Sequence, residues 1–183
     1  MKLIMENFRQ FLDEAAKSLT DLGEFKVFIT SESDYEYIGI GTDDNHEAIG
    51  GIEIGPIDCD SKVWYVSQVE SKDGWGPLLY DIAMERAVAR GRNGLTSDKT
   101  TSTSNEAVKV WQYYLDNRAG EFEIKRIWDF CKPWPQPKLK SRPHDRLTYK
   151  DKEFKALTSV FRVKKKHLIV ALRKANKLVY RRE

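Results

Sequence analysis

The stretch Val63 to Ala87, VWYVSQVESKDGWGPLLYDIAMERA, constrains the fold of this 183-residue chain more than any other. It sets an apolar strand, a glycine-flanked turn and a long helix in immediate succession. Gly74 and Gly76 bracket Trp75 where the helix is about to begin, so backbone N–H groups and the positive end of the helix dipole converge there. A pyrophosphate suits such a place. Pro77 is favourable at a first helical position, because its φ is already helical and its missing N–H has no intrahelical partner. The same residues also describe a tight turn and a capped helix with no ligand, and a G-x-G turn alone does not choose between the two.

Around this stretch the periodicities predict a mixed α/β (α+β) fold. Phe8, Phe11, Leu12, Ala15, Ala16 and Leu19 recur at three- and four-residue intervals, which predicts an amphipathic helix over Met5 to Leu19 ended by Gly23. Strands are expected at Phe25 to Thr30, Tyr35 to Gly41, Ala48 to Ile54 and Val63 to Glu70, with Asp43, Asp44 and Asn45 in a hairpin turn. A helix over Pro77 to Ala89 and a turn at 91–94 lead to a short buried strand over Leu95 to Asp98. Ser104 is placed to cap a helix running to Asn117, in which Ala107, Val110, Trp111 and Tyr114 recur at helical spacing. Phe122 to Trp128 and Ser159 to Val163 read as further strands. Lys164 to Tyr180 reads as a basic amphipathic helix, with strand as the alternative because His167 to Leu172 is apolar and β-branched.

Strand, G-x-G turn, helix, short strand, then a helix of the form N-x-x-A-x-x-L-Y resembles the acetyl-CoA-binding half of the GNAT acetyltransferase superfamily, over about Val63 to Arg118. The resemblance implies a mainly antiparallel twisted sheet flanked by helices, acetyl-CoA as cofactor, and transfer of an acetyl or other acyl group to an amine. It implies that Val66, Ser67, Gln68 and Val69 offer backbone groups to the pantetheine arm, and that Gly74, Trp75 and Gly76, with Lys72, surround the pyrophosphate. Ser71 stands where the family places a basic or amide side chain. Ser104 replaces the family's asparagine, and Trp111 its acidic tyrosine. Tyr114, three residues on, is the substitute acid, and Glu53 and Glu70 are the candidate general bases. Each has a plainer reading: Lys72 as a solvated turn residue, Trp75 and Tyr114 as packed aromatics, the two glutamates as solvent-face residues. Loss of turnover would leave a binding module.

Charge is divided unevenly along the chain. Residues 132–183 hold 17 Lys and Arg against 4 Asp and Glu, whereas residues 1–131 hold 14 against 24. An acidic body with a basic C-terminal extension points to nucleic acid or an acidic protein as partner, or to a basic face paired with the chain's own acids. The composition CKPWPQPKLKSRPHDR marks a proline-rich linker or arm at 132–146. The expected organisation is therefore an N-terminal helix over 1–22, an acyl-CoA-binding core over 23–131 and a basic segment over 132–183.

Cys59 and Cys131 lack C-x-x-C spacing, the three histidines offer no metal-ligand spacing, and no apolar run spans a bilayer. A reducing cytoplasm is expected. Ile4-Met5-Glu6 and Leu12-Asp13-Glu14 resemble the sites at which tailed phages trim delivery peptides from internal head proteins, which implies host cytoplasm or virion if the chain is phage-encoded.

Overall fold

The computed structural model describes residues 16–72, 74–99 and 102–182. The expected helix over Met5 to Leu19 and the phage-type site at Glu14-Ala15 lie almost wholly outside them. Leu19–Leu22 forms one turn of 3-10 helix, and Gly23 leaves it at φ +54°.

Eight strands follow: β1 (Lys26–Glu32), β2 (Tyr35–Gly41), β3 (Gly50–Ile57), β4 (Asp60–Ser71), β5 (Gly94–Thr96), β6 (Phe122–Arg126), β7 (Ser159–Val163) and β8 (Leu178–Arg182). Four α-helices lie among the described residues: α1 (Gly76–Ala89), α2 (Asn105–Asn117), α3 (Phe154–Leu157) and α4 (Leu168–Lys174). The strands form one sheet in the order β6-β7-β5-β4-β3-β2-β1-β8. It is parallel at β4/β5 and β1/β8 and antiparallel at β1/β2, β5/β7 and β6/β7. The architecture is thus mixed α/β with a mainly antiparallel sheet. The chain divides into two compact units, and neither Leu22 nor Lys132 bounds one.

The first unit comprises residues 1–53, 68–83 and 167–183. Val27 and Ile29 of β1 lie opposite Ile40 and Ile38 of β2, and all four are fully buried. Alternation puts Phe28, Thr30 and Glu32 on the other face, opposite Gly39, Tyr37 and Tyr35. On that face the 42–48 loop folds back, and its His46 carbonyl occupies the space a side chain at Gly39 would need. The basic amphipathic helix expected over Lys164 to Tyr180 is instead a loop, the short α4 and β8. Its apolar residues serve two elements: Leu168, Ile169 and Leu172 bury one face of α4, while Leu178 and Val179 pair with Val27 and Phe28 in the sheet.

The second unit comprises residues 54–67 and 84–166. Its core is aromatic. Trp111 stacks on Phe161 at 5.5 Å between ring centroids, and Phe122 meets Phe161 and Tyr114 edge-on at 5.7 and 5.6 Å. Offset and edge-on arrangements such as these add to burial because the positive ring edge meets a negative ring face. The proline-rich 132–146 stretch is not a free linker. Thr103 N–H donates to the Lys138 carbonyl at 2.8 Å, Lys140 N–H donates to the Thr103 carbonyl at 3.0 Å, and Leu139 and Leu147 are buried. Prolines disfavour regular structure, but they leave the remaining amides free to dock on a neighbour.

Cys59 and Cys131 form a disulfide with Cα atoms 5.4 Å apart, within the span such a bond requires. Cys131 sits in an apolar cluster with Ile57, Val63, Tyr65, Ile127 and Val160. The spacing of the two cysteines gives no sign of this pairing, because 72 residues separate them. It runs against the expectation of a reducing compartment, where thiols stay unpaired. Among the described residues no helix is long and apolar enough to cross a membrane.

Candidate functional site

The strand, turn and helix singled out in the sequence are present, with β4 leading through Gly74 to α1. β4 pairs with β5 only at Val63, Trp64 and Tyr65, opposite Gly94, Leu95 and Thr96, and then continues six residues to Ser71. Val66, Ser67, Gln68 and Val69 therefore lie beyond the last parallel pair. Gly74 takes φ +82°, a conformation that costs glycine little and other residues much. The turn is partly closed on itself. Trp75 N–H donates to the Lys72 carbonyl at 3.2 Å, and the Gly74 carbonyl accepts from Lys17 N–H at 2.8 Å. Trp75 is buried, with its ring edge-on to Phe25 at 6.3 Å, so it packs rather than facing a ligand. Ser71 and Lys72 are exposed, and a Cβ placed at Gly76 would come within 3.3 Å of Ser71 Oγ.

Ser104 and Tyr114 are placed by α2. Ser104 Oγ accepts from Ala107 N–H at 3.2 Å, so its side chain serves the helix cap. Tyr114 is 1% exposed, with the Arg118 guanidinium 5.0 Å over its ring. The proposed acid is drawn into the aromatic core, because the helical spacing that puts Tyr114 near the face of Trp111 also buries both. Of its two readings, the packed aromatic describes this geometry.

Glu53 and Glu70, chosen separately in the sequence, share a neighbour. Together with Glu47 they act on the Tyr37 phenol, and Glu47 also hydrogen-bonds it. Burial, and then these three carboxylates, push that phenol far above the usual tyrosine range. The phenol oxygen lies where a side chain at position 51 would start, so only glycine admits it there. Around it is a cavity of about 480 Å³ in the first unit, walled by Phe28, Thr30, Glu32, Tyr35, Tyr37, His46, Glu47, Glu53 and Arg181. The backbone of Glu36 also borders it. Alternation turns the buried Glu36 side chain to the opposite face, where Ser31 Oγ donates to it at 3.1 Å. At one rim Arg181 bonds His46 Nδ1 at 3.0 Å and lies 5.2 Å over the Phe28 ring. Sequence reasoning missed Tyr37 and Glu47. The only signal for them was the pair of glycines Gly50-Gly51 facing a strand rich in tyrosine.

Lys99, beyond β5, is a third residue the sequence did not flag. Its Nζ donates to Ser97 Oγ at 2.6 Å, the Ser97 carbonyl at 2.9 Å and Thr96 Oγ1 at 3.2 Å. Burial pulls the amine down to about 7, with Asp98 opposing. Among the described residues no three His, Cys, Asp or Glu side chains could hold a metal ion. The chain matches no protein-family model, no curated protein and no solved structure.

Proposed function

We propose that the chain is a GNAT-like N-acyltransferase that takes an acetyl or other acyl group from acyl-CoA to an amine. The observation that carries this is the behaviour of β4, which leaves β5 after three pairs and runs on toward Gly74 and α1. In this reading the pantetheine arm runs along Val66 to Val69, beyond the last residues of β4 that pair with β5, and the start of α1 follows directly for its phosphates. The order β4, α1, β5, α2 supports this reading, because the resemblance rests on a strand, a turn, a helix, a short strand and a helix in that succession. In this reading catalysis comes mainly from holding thioester and amine together, and Glu53 and Glu70 are the carboxylates that orient or deprotonate the amine. The test is calorimetric titration with acetyl-CoA and, in parallel, desulfo-CoA. Saturable binding lost in Gly76→Trp supports the reading, and acyl transfer that survives Gly76→Trp overturns it.

The burial of Tyr114 and Trp111 favours a second reading, a scaffold of this kind without turnover whose basic residues contact nucleic acid or an acidic protein. Because β7 and β8 lie within residues 132–183, truncation at Lys132 would remove two strands. Charge reversal at the exposed Lys164, Lys165 and Lys166 is the cleaner variant. DNA affinity should fall with salt and in this variant. Affinity that is the same at low and high salt rules out a phosphate contact.

A further inference from the structure

We propose that the groove over β6 and β7 in the second unit binds single-stranded nucleic acid. The inference rests on the second reading above and gives it a site. Strand register builds the groove. Glu123 and Lys125 of β6 lie opposite Arg162 and Val160 of β7, so alternation brings all four side chains to one face of the sheet. Two cavities open there, of about 320 and 390 Å³, and Glu123 and Arg162 wall both. Lys125 and Phe130 belong to the first, Lys164 and Lys166 to the second. The walls thus carry four cations against one carboxylate, and Lys125 engages that carboxylate at 3.2 Å.

Two of the cations are positioned by backbone. Arg162 Nη1 donates to the Arg92 carbonyl at 3.0 Å, which uses one of five guanidinium N–H groups and fixes the fork. Lys164 Nζ donates to the Gly120 carbonyl at 3.0 Å. Among the described residues neither has a carboxylate partner. The aromatic wall then decides between anionic partners. Trp128, Trp134 and Phe154 close on one another, with ring centroids 5.4 to 6.2 Å apart. Phe130 is half-buried against the cluster of Cys131 and Val160 and has no ring partner among the described residues. Its neighbour Cys131 is tied to Cys59, which fixes the segment that presents the ring. An acidic protein asks only for the cations. A ring left open among cations suits a base, because every base has a π-face and stacking on aromatic side chains is a main source of single-strand affinity. A duplex keeps its base faces inside the stack and gains nothing from the ring.

The experiment is fluorescence anisotropy of the full chain with a labelled oligothymidine of about 15 nucleotides, at salt concentrations between about 50 and 200 mM. A duplex of the same length and poly-glutamate are the competitors. The single strand should bind about tenfold tighter than the duplex, and poly-glutamate at matched charge should not displace it. Lys125→Ala should weaken binding and flatten the plot of log affinity against log salt by about 0.7, the share of one phosphate contact. Phe130→Leu keeps an apolar side chain on the cluster but removes the ring. It should weaken binding about tenfold and leave the salt slope unchanged. Lys125 is exposed, so its variant tests the site even where Phe130→Leu fails to fold. Equal affinity for duplex and single strand, displacement by poly-glutamate, a slope unmoved in Lys125→Ala, or full affinity in folded Phe130→Leu would each overturn the proposal. The two readings fail separately. Salt-dependent DNA binding that is lost on charge reversal at Lys164, Lys165 and Lys166 but kept in Lys125→Ala and Phe130→Leu leaves the second reading standing and removes this site. No binding at any salt removes both.

Discussion

Tyr37 and Gly51 act as a pair, because the phenol oxygen fills the space that a methyl group at position 51 would take. Gly51→Ala should destabilise the fold by about 1–3 kcal/mol, the usual cost of overpacking. Tyr37→Ala/Gly51→Ala should cost less than the two single changes added together. A urea-unfolding double-mutant cycle with no coupling would show that the two do not touch. Lys99 gives a test by pH. Its amine titrates near 7 in the fold against 10.5 in the unfolded chain, so between those values the unfolded state binds more protons. The burden of this lysine on stability is full below pH 7 and fades as pH rises through that window. Lys99→Met should therefore raise Tm more at pH 6 than at pH 10, and equal gains at both would contradict a buried charge.

At the level of elements, much of the chain can be read from its periodicity. β2 over Tyr35–Gly41, β7 over Ser159–Val163 and the Ser104-capped helix ending at Asn117 lie where residue spacing and cap chemistry place them. Ser104→Ala should cost about 1 kcal/mol of stability, seen as a lower midpoint in thermal unfolding, because it leaves the Ala107 amide without its acceptor. Local patterns fail where one run of apolar residues serves two elements. Leu168, Ile169 and Leu172 share a helical face, yet the chain turns at Asn176, with φ +55°, and the next residues enter the sheet. The 132–146 stretch has the composition of a linker, and its docking through Thr103 is a long-range contact that its prolines do not announce. The candidate site is half legible for the same reason. Glu53 and Glu70 stand out as strand carboxylates, but their meeting at Tyr37 depends on strand register and on a loop folding back.

For the molecule as a whole, the cross-link between Cys59 and Cys131 joins two residues of the second unit that lie 72 apart in sequence, and so closes a long loop. Cys59→Ser/Cys131→Ser should lower stability by about 2–5 kcal/mol, measured by denaturant unfolding. Protein unfolded without reductant should show no thiol reactive toward Ellman's reagent, and two reactive thiols would mean the bond does not form. The parallel pairing of β8 with β1 has a further consequence, in the order of events during synthesis. β1 emerges from the ribosome early, but its partner along that edge lies about 150 residues further on. Until residues 178–182 are made, the edge carrying Val27 to Ser31 has open amides and carbonyls, and a nascent chain in that condition is a template for neighbouring nascent chains. The order of translation thus leaves this edge open for as long as the residues between β1 and β8 are being made, and slowing translation over the codons between β2 and Leu178 should lower the yield of folded protein.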